Sequence, residues 1–313
     1  MDKYPLLVIL GPTAVGKTDL SLEISKKYKG EIISADSMQI YRKMNIGTAK
    51  IKPNEMNNIK HHMIDIINPD EDFSVAEYQE MVDQLIPEII KRGSLPIMVG
   101  GTGLYIKSVV QGFIFPDMDT DFKLRKKLEE QAEKFGNEYI HKKLRNIDPE
   151  LAERLHPNDL RRIIRGIEIY KVTGHTTTYF KKKQEKFPPR YNTLKIGLKR
   201  DRQELYKRIN QRVDIMIEQG LVDEVKELIN FGYNTESTAF QGLGYKEIVS
   251  YFENECSLDE AVRILKRDTR HFAKRQLTWF RRDHEIKWIN LTNKTKTNVI
   301  KEAKNKIEDW LYT

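Results

Sequence analysis

The fold of this chain is decided by the stretch Leu6-Leu7-Val8-Ile9-Leu10-Gly11-Pro12-Thr13-Ala14-Val15-Gly16-Lys17-Thr18. An apolar run ends here in the pattern G-x-x-x-x-G-K-T, and a helical pattern follows at once. A phosphate-binding loop requires this strand–loop–helix context, because its glycines let successive backbone N–H groups face one concavity. The positive end of the following helix adds to the same site. We therefore predict that the protein binds a phosphorylated small molecule, which the loop alone does not identify as a nucleotide.

Two side chains of this loop have specific predicted tasks. Lys17 supplies a mobile charge for the outer phosphates, and the Thr18 hydroxyl is a candidate ligand for Mg²⁺. A standard Walker B sequence, an apolar strand that ends in an acid, is not evident. The predicted strand 95–99 runs instead into Gly100-Gly101-Thr102-Gly103, and Met63-Ile64-Asp65 is only a weak candidate. This pattern argues against an ATP-hydrolysing motor, which needs the acid to arrange magnesium and water.

Length and composition favour a cytoplasmic protein with an acidic partner. The 313 residues are enough for one large or two ordinary domains, and the net charge of +8 suits a nucleic acid or a phosphorylated metabolite. The single cysteine, Cys256, excludes an internal disulfide and fits a reducing compartment. We see no signal segment and no run near the roughly 20 apolar residues that span a bilayer. We expect a monomer without membrane association.

Strands that alternate with helices predict an α/β protein with a parallel sheet. We expect residues 1–116 to form the first part of this core and residues 117–190 to be an inserted, mainly helical domain, because strand signals nearly vanish there. Residues 191–313 then complete the core and add basic C-terminal helices. Ligands of parallel sheets bind beyond the carboxyl ends of the strands, which is where the phosphate loop, Asp36 and the 100–103 loop fall.

Several residues near these strand ends are candidates for chemistry. Asp36 ends a predicted strand, and it is equally consistent with a magnesium ligand, a general base or a cap of the next element. Thr102 offers a hydroxyl in a glycine loop that suits close approach. Arg208 and Arg212 lie four residues apart on one helix face and suit a diphosphate clamp. The adjacent pair His61-His62 favours a structural role over metal binding, since neighbouring side chains diverge.

Two basic segments remain open to more than one interpretation. The segment Arg161–Arg165 is a basic turn on an otherwise apolar helix. Residues 263–282 mix arginines and lysines with Phe272, Trp279 and Phe280, which suits phosphate neutralisation and base stacking on RNA. The same pattern is typical of an amphipathic helix whose aromatic residues face the core, and a combination of the two is equally consistent.

Taken together, these motifs closely resemble the tRNA dimethylallyltransferase family of bacterial type. The resemblance runs through nearly the whole chain. The sequence shows no counterpart of the C-terminal zinc finger that eukaryotic relatives carry. The resemblance rests on the phosphate loop, Ser34–Arg42, Ile46–Lys50, Gly100–Tyr105, Arg212–Asp214, Gly242–Glu247 and Thr269–Arg281. The family transfers an allyl group from dimethylallyl diphosphate to N6 of the adenosine 3′-adjacent to the anticodon of tRNA.

The resemblance also implies a fold and the roles of individual residues. It implies a P-loop NTPase-like core with an inserted domain that helps to grip the anticodon arm. Asp36 would be the general base, with Lys17, Thr102 and Arg212 as further catalytic residues. The diphosphate would be held, with Mg²⁺ on Thr18, by Gly11, Pro12, Thr13, Ala14, Val15, Gly16, Lys17 and Thr18. The tRNA would contact Asp36, Ser37, Met38, Gln39, Thr102, Arg161, Arg162, Ile163, Ile164 and Arg165.

Two other enzyme classes and one non-enzymatic class remain as alternatives. A P-loop small-molecule kinase would use ATP, and an isopentenyltransferase for free adenine nucleotides would share the loop. An isopentenyltransferase for free adenine nucleotides would have less need of a basic C-terminal helix than an enzyme that acts on tRNA. An RNA-binding protein with a regulatory nucleotide site would leave Asp36 and Thr102 without a task.

Overall fold

The structure is a computed structural model in which residues 3–312 are described. The chain divides into two compact units, one formed by Met1–Val110 with Arg190–Thr313 and the other by Gln111–Pro189. The composition change at residue 117 therefore falls inside the second unit. This unit begins earlier, with the last residue of a helix and an irregular segment that precedes residue 117.

The elements follow one another in three groups. The first group is β1 (Tyr4–Leu10), α1 (Lys17–Tyr28), β2 (Gly30–Ala35), β3 (His61–His62), α2 (Val75–Lys91), β4 (Leu95–Gly100) and α3 (Gly103–Gln111). The helices α4 (Phe122–Phe135), α5 (Asn137–Ile147), α6 (Pro149–Arg154), α7 (Leu160–Thr173) and α8 (Thr177–Gln184) come next. The last group is β5 (Tyr191–Lys199), α9 (Arg202–Glu218), α10 (Leu221–Asn230), α11 (Tyr245–Phe252), α12 (Leu258–Phe280), β6 (Lys287–Asn290) and α13 (Lys296–Tyr312).

The strands of the described residues form one parallel sheet in the order β3-β2-β4-β1-β5-β6. Leu10, the last residue of β1, lies opposite Gly100 of β4 and Gly197 of β5. The phosphate loop thus leaves the middle of the sheet between two neighbouring strand ends. The predicted P-loop NTPase-like α/β core, its helical insertion and its C-terminal helices are confirmed.

Strand β1 is buried on both faces of the sheet, which explains its unbroken apolar sequence. Leu6, Val8 and Leu10 pack with residues of α2 and α3, whereas Leu7 and Ile9 pack with residues of α1, α9 and α13. A strand with only one buried face would alternate apolar and polar residues. Helices on both faces therefore hold the start of the phosphate loop in place.

The sequence patterns of residues 75–91 and 258–280 are helical, and two helices have these bounds. Helix α2 begins after Ser74, whose Oγ accepts a hydrogen bond from the Glu77 N–H while the Glu77 carboxylate accepts from the Ser74 N–H. This reciprocal pair is a capping box. Helix α12 begins after Ser257, which caps it through the N–H of Glu260. The local capping signals thus explain why the sequence pattern located both helices.

The helical unit has its own apolar core, with Ile163 and Ile164 of α7 at 0% and 3% exposure. Buried Glu168 accepts hydrogen bonds from Arg125 and from Arg165. Burial raises the pKa of this carboxyl, but the two guanidinium groups outweigh burial and the pKa is lowered. Residues 161–165 are predicted to contact tRNA, but the two isoleucine side chains face the core and Arg165 is paired with Glu168. These three side chains are therefore less available to a tRNA. Arg161 and Arg162 are exposed.

Two predictions from composition concern the whole chain. No helix within residues 3–312 has both the length and the apolar character that crossing a membrane requires. Cys256 is a free thiol, partly buried beside the start of α12.

Candidate active site

Basic side chains hold the backbone of the phosphate loop from outside. The Lys17 ammonium donates to the carbonyl oxygens of Gly11 (3.0 Å) and Pro12 (2.8 Å). Arg208 Nε donates to the Ala14 carbonyl at 2.9 Å, and Arg200 Nε donates to the Val15 carbonyl at 3.0 Å. With these carbonyls engaged by cations, the loop amides nearest α1 are left to converge on an anion.

Two glycines allow the loop its path. Gly16 has φ +112°, in the region that side chains rarely adopt, and it directly precedes α1. A Cβ on Gly11 would lie 2.7 Å from the carbonyl oxygen of Leu198 on β5. The first glycine of the motif therefore serves close approach to a neighbouring strand, and the second serves a left-handed turn into the helix.

The loop opens into a cavity of about 550 Å³, which collects most of the predicted catalytic side chains. Lys17 and Thr18 line it together with Asp36, Thr102 and Arg212. Arg208 also lines it, one turn before Arg212 on α9, as expected for a clamp. All of these residues belong to the unit that contains the sheet. These six side chains alone bring three cations, one carboxylate and two hydroxyls to the cavity.

The charges in the cavity influence each other strongly. Burial, reinforced by the nearby charge of Arg212, lowers the pKa of Lys17 to about 8, although Asp36 opposes the shift. Burial likewise lowers the pKa of Arg212, again against the attraction of Asp36. Desolvated cations gain more from an incoming anion than solvated ones do, because the local dielectric is low. The cavity is thus prepared for a negatively charged ligand.

Asp36 sits on a turn that is fixed from two sides. Its Oδ1 accepts a hydrogen bond from the N–H of Met38 at 2.9 Å. The hydroxyl oxygen of Thr102 accepts from the N–H of Ser37 at 3.0 Å, and the N–H of Thr102 donates to the Ala35 carbonyl at 3.0 Å. Asp36 therefore caps the turn that follows it, and the same carboxylate also borders the cavity.

The three glycines around Thr102 at the end of β4 have no room for side chains. A Cβ on Gly100 would lie 2.1 Å from the Ala35 carbonyl oxygen, and one on Gly101 would lie 2.2 Å from Nε2 of Gln276. Trp279 of α12 packs over Gly103 in the same way. The predicted close approach is confirmed, and it brings Thr102 against the Asp36 turn.

Several polar residues near the site are engaged in holding the protein together. The carboxamide of Gln39 accepts from Ser34 Oγ and donates to the Thr48 carbonyl. Met38 packs against Gly242. Arg42 is exposed, and its guanidinium donates to the carbonyl oxygens of Asp65 and Ile66.

The weak metal candidates of the sequence, His61-His62 and Asp65, have partners within the protein. His62 contacts the Glu31 carboxylate at 2.7 Å, and that carboxylate also binds Arg92, which is a structural role. Asp65, the weak Walker B candidate, pairs with Lys50 at 2.6 Å. Among residues 3–312, no cluster of three or more His, Cys, Asp or Glu side chains is suited to a metal ion.

The aromatic residues of the basic helix α12 do not all lie on one side. Phe280 is buried in the core beneath the sheet, at 3% exposure. Phe272 and Arg275 line the cavity instead. The aromatic residues are therefore divided between core and site, and the exposed basic residues of the helix remain on the surface.

Sequence reasoning missed Glu224, which fixes one wall of the cavity. Its carboxylate accepts hydrogen bonds from the N–H groups of Asn45, Ile46 and Gly47, and from the hydroxyl of Tyr245. Gly47 borders the cavity, and a Cβ there would lie 2.5 Å from the Tyr245 ring. The only available signal was the pair of segments 46–50 and 242–247, which the contact joins.

We expect Glu224→Gln to lower the free energy of unfolding by about 1.5–3 kcal/mol, because it removes charge-assisted hydrogen bonds to three amides. Denaturant unfolding measures this change. The matched control is Glu227→Gln on the exposed face of the same helix. Equal stability of the two variants would contradict the role of Glu224.

We expect kcat/KM for the phosphorylated ligand to fall as the pH rises through about 8, because the free protein then loses the Lys17 charge. Once the anion is bound, its charge raises the pKa of Lys17, so the fall in kcat should occur at higher pH. Initial rates at varied ligand concentration and pH measure both kinetic constants. A flat profile through pH 8 would exclude Lys17 from ligand binding.

Comparison with known proteins gives the site its family. The IPP transferase family model matches residues 39–283. The chain belongs to this family. It is 60% identical over 310 residues to the tRNA dimethylallyltransferase of Halothermothrix orenii, covering 99% of this chain and 94% of that protein. It is 54% identical to the tRNA dimethylallyltransferase of Acetivibrio thermocellus, covering 91% of each.

Solved structures of this IPP transferase family resemble the chain throughout. The full-length tRNA isopentenylpyrophosphate transferase of Bacillus halodurans is 44% identical, with a TM-score of 0.76 over 99% of this chain and 97% of that one. A eukaryotic dimethylallyltransferase acting on tRNA is 29% identical, with a TM-score of 0.80 over 96% of this chain and 77% of that one. The family resemblance noted from the sequence motifs is confirmed.

Proposed function

We propose that this chain transfers a dimethylallyl group from dimethylallyl diphosphate to N6 of the adenosine 3′-adjacent to the anticodon in tRNA. The observation that carries the proposal is one cavity in which the phosphate loop, Lys17 and Arg212 face Asp36 and Thr102. Relatives named tRNA dimethylallyltransferase support it over nearly the full length of the chain.

The diphosphate of the donor binds in the phosphate loop. Its oxygens accept hydrogen bonds from loop amides between Ala14 and Thr18, and Lys17 and Arg212 balance its charge. Negative charge on the diphosphate grows as the allylic C–O bond breaks. Cations already fixed in a water-poor cavity stabilise this charge without reorganising, which lowers the barrier.

The acceptor amine attacks from the side of Asp36. A bond forms between N6 and the allylic carbon as the bond from that carbon to the diphosphate oxygen breaks. The proton that N6 loses passes to the Asp36 carboxylate, and the electron pair of the broken bond leaves with diphosphate. Because an aromatic amine is a weak nucleophile, both proton removal and fixed approach contribute. Thr102 lies beside Asp36, where it can hydrogen-bond the nucleotide.

The residues present fit Mg²⁺ only as an ion carried mainly by the diphosphate. Thr18 lies exposed at the start of α1 and borders the cavity, and a hydroxyl oxygen is a suitable ligand for this ion. The described residues supply no acidic cluster to hold it alone. Bound in this way, Mg²⁺ would shield charge on the diphosphate.

The tRNA reaches the cavity with its anticodon arm against basic surface. The basic face of α12 supplies that surface, and in the helical unit exposed Arg161 and Arg162 are separate candidates for contact with tRNA. Ser37, Met38 and Gln39 present backbone rather than free side chains, because their turn and the Gln39 carboxamide are engaged. We place the reaction in the cytoplasm, where free Cys256 stays reduced, and expect a monomer without membrane association.

The test is incubation with unmodified tRNA and radiolabelled dimethylallyl diphosphate, with ATP present as a competing ligand and AMP as a competing acceptor. We expect label in the tRNA, located at the adenosine 3′ of the anticodon by nuclease digestion. Label in AMP alone would support the free-nucleotide alternative. Consumption of ATP without transfer of label would support a kinase, and either result would reject the proposal.

A further inference from the structure

Gln276 of α12 is buried between two loops of the cavity and has no task in the reaction as described. The residue is 7% exposed. Its Oε1 accepts a hydrogen bond from the N–H of Thr13 at 2.9 Å, and its Nε2 donates to the Gly101 carbonyl at 3.0 Å. One carboxamide thus joins the phosphate loop to the glycine loop.

The fit around this carboxamide is tight. A Cβ on Gly101 would lie 2.2 Å from Nε2 of Gln276 and 3.4 Å from the Gly11 carbonyl oxygen. Any larger residue at position 101 must push the carboxamide away from its two partners. The bridge made by Gln276 therefore requires a glycine at position 101.

The bridge continues to the proton acceptor. Gly101 is followed by Thr102, whose hydroxyl accepts from the N–H of Ser37 and whose N–H donates to the Ala35 carbonyl. These two residues flank Asp36. A continuous path of hydrogen bonds thus runs from Thr13 beside the diphosphate site to the turn that carries the carboxylate.

We propose that Gln276 is a positioning residue for the transfer. By holding the phosphate loop and the Thr102–Asp36 turn at a fixed separation, it aligns the allylic carbon with the attacking amine. Bond formation requires the reacting atoms to be about 3–3.5 Å apart, and a shift of about 1 Å costs about 10²-fold in rate. This inference rests on the proposed function, since it assigns the two loops to the two substrates.

A second consequence concerns the donor site. Because the Thr13 N–H is donated to Gln276, it does not serve the diphosphate while the bridge holds. The predicted role of Thr13 is therefore indirect, and the amides nearer α1 carry the anion. Loss of Gln276 should accordingly affect turnover more than donor binding.

The experiment compares steady-state transfer to tRNA by wild type, Gln276→Met, Gln276→Ala, Gly101→Ala and the double variant Gly101→Ala/Gln276→Ala. Gln203→Met, an exposed glutamine at the start of α9, is the matched control. Circular dichroism checks that each protein is folded. Gln276→Glu, which keeps an acceptor for Thr13 but loses the donor for Gly101, replaces the methionine variant if that variant does not fold.

We expect Gln276→Met to lower kcat by about 10²-fold with the KM for tRNA unchanged, and Gln203→Met to behave as wild type. Gly101→Ala should be similarly slow, yet the double variant should be no slower than Gln276→Ala, since the alanine acts by displacing the carboxamide. Wild-type kcat in Gln276→Met, or an equal cost of Gly101→Ala with and without Gln276, would overturn the positioning role. An inactive wild type would instead reject the proposed function.

Discussion

Asp36→Ala is expected to lower kcat by about 10²–10⁴-fold while tRNA affinity is retained, because it removes the group that accepts the proton from the amine. The variant also removes the hydrogen bond from the Met38 N–H to the carboxylate. Single-turnover transfer with saturating donor measures the chemical step, and filter binding measures tRNA affinity separately.

Asp36→Asn is the matched variant that separates the two roles of Asp36. An asparagine keeps an oxygen acceptor for the Met38 N–H, so the turn is preserved, but it is not a base at neutral pH. We expect it to be as slow as the alanine variant. Near-wild-type turnover in Asp36→Asn would show that Asp36 acts only as a cap of the turn, and the general-base role would be lost.

Lys17→Ala is expected to have the second largest effect, lowering kcat/KM for dimethylallyl diphosphate by about 10²–10³-fold. The ammonium serves both the ligand and the loop, since it donates to the carbonyl oxygens of Gly11 and Pro12. Loss of both contributions should weaken donor binding and slow transfer together. Rates at varied donor concentration, with tRNA saturating, separate the two.

Lys26→Ala, which removes an exposed ammonium from the same helix, is the control for this charge. We expect it to match wild type, because surface charges at a distance are screened by salt. If the two lysine variants had equal kinetics, the loop would not be at the reaction centre.

The central strand and the long helices were predictable because their signals are local. An unbroken apolar run into G-x-x-x-x-G-K-T gives β1 and the loop, and serines at caps mark α2 and α12. The helical pattern of residues 202–231 corresponds to two helices, α9 and α10, which are divided at Gly220 with φ +96°. A glycine within a helical pattern indicates such a break, although it does not give the bounds of the two helices.

For three of the elements that escaped prediction, the structure shows the physical reason. Strand β3 is two residues long, and its histidines are held by pairing with β2 and by Glu31 rather than by an apolar pattern. Helix α11 has eight residues and is held by tertiary packing of Tyr245 and Ile248. Helix α13 is rich in lysine, which hides the stripe that packs against the sheet.

The site was predictable where one segment carries its chemistry and unpredictable where distant segments meet. The phosphate loop and Asp36 each follow a strand, and parallel topology brings them together. Gln276 contacts Thr13, which lies 263 positions away in the sequence, and Glu224 contacts Asn45, which lies 179 positions away. No local pattern distinguishes such a glutamine or glutamate from one that faces solvent.

The most direct test of the account is the structure of this chain with the anticodon arm of an unmodified tRNA and a non-reactive thio analogue of dimethylallyl diphosphate. We predict the analogue's diphosphate in hydrogen bonds with loop amides between Ala14 and Thr18, and N6 of the target adenosine within about 2.6–3.2 Å of the Asp36 carboxylate. A diphosphate bound outside the loop, or an N6 out of reach of Asp36, would contradict the account.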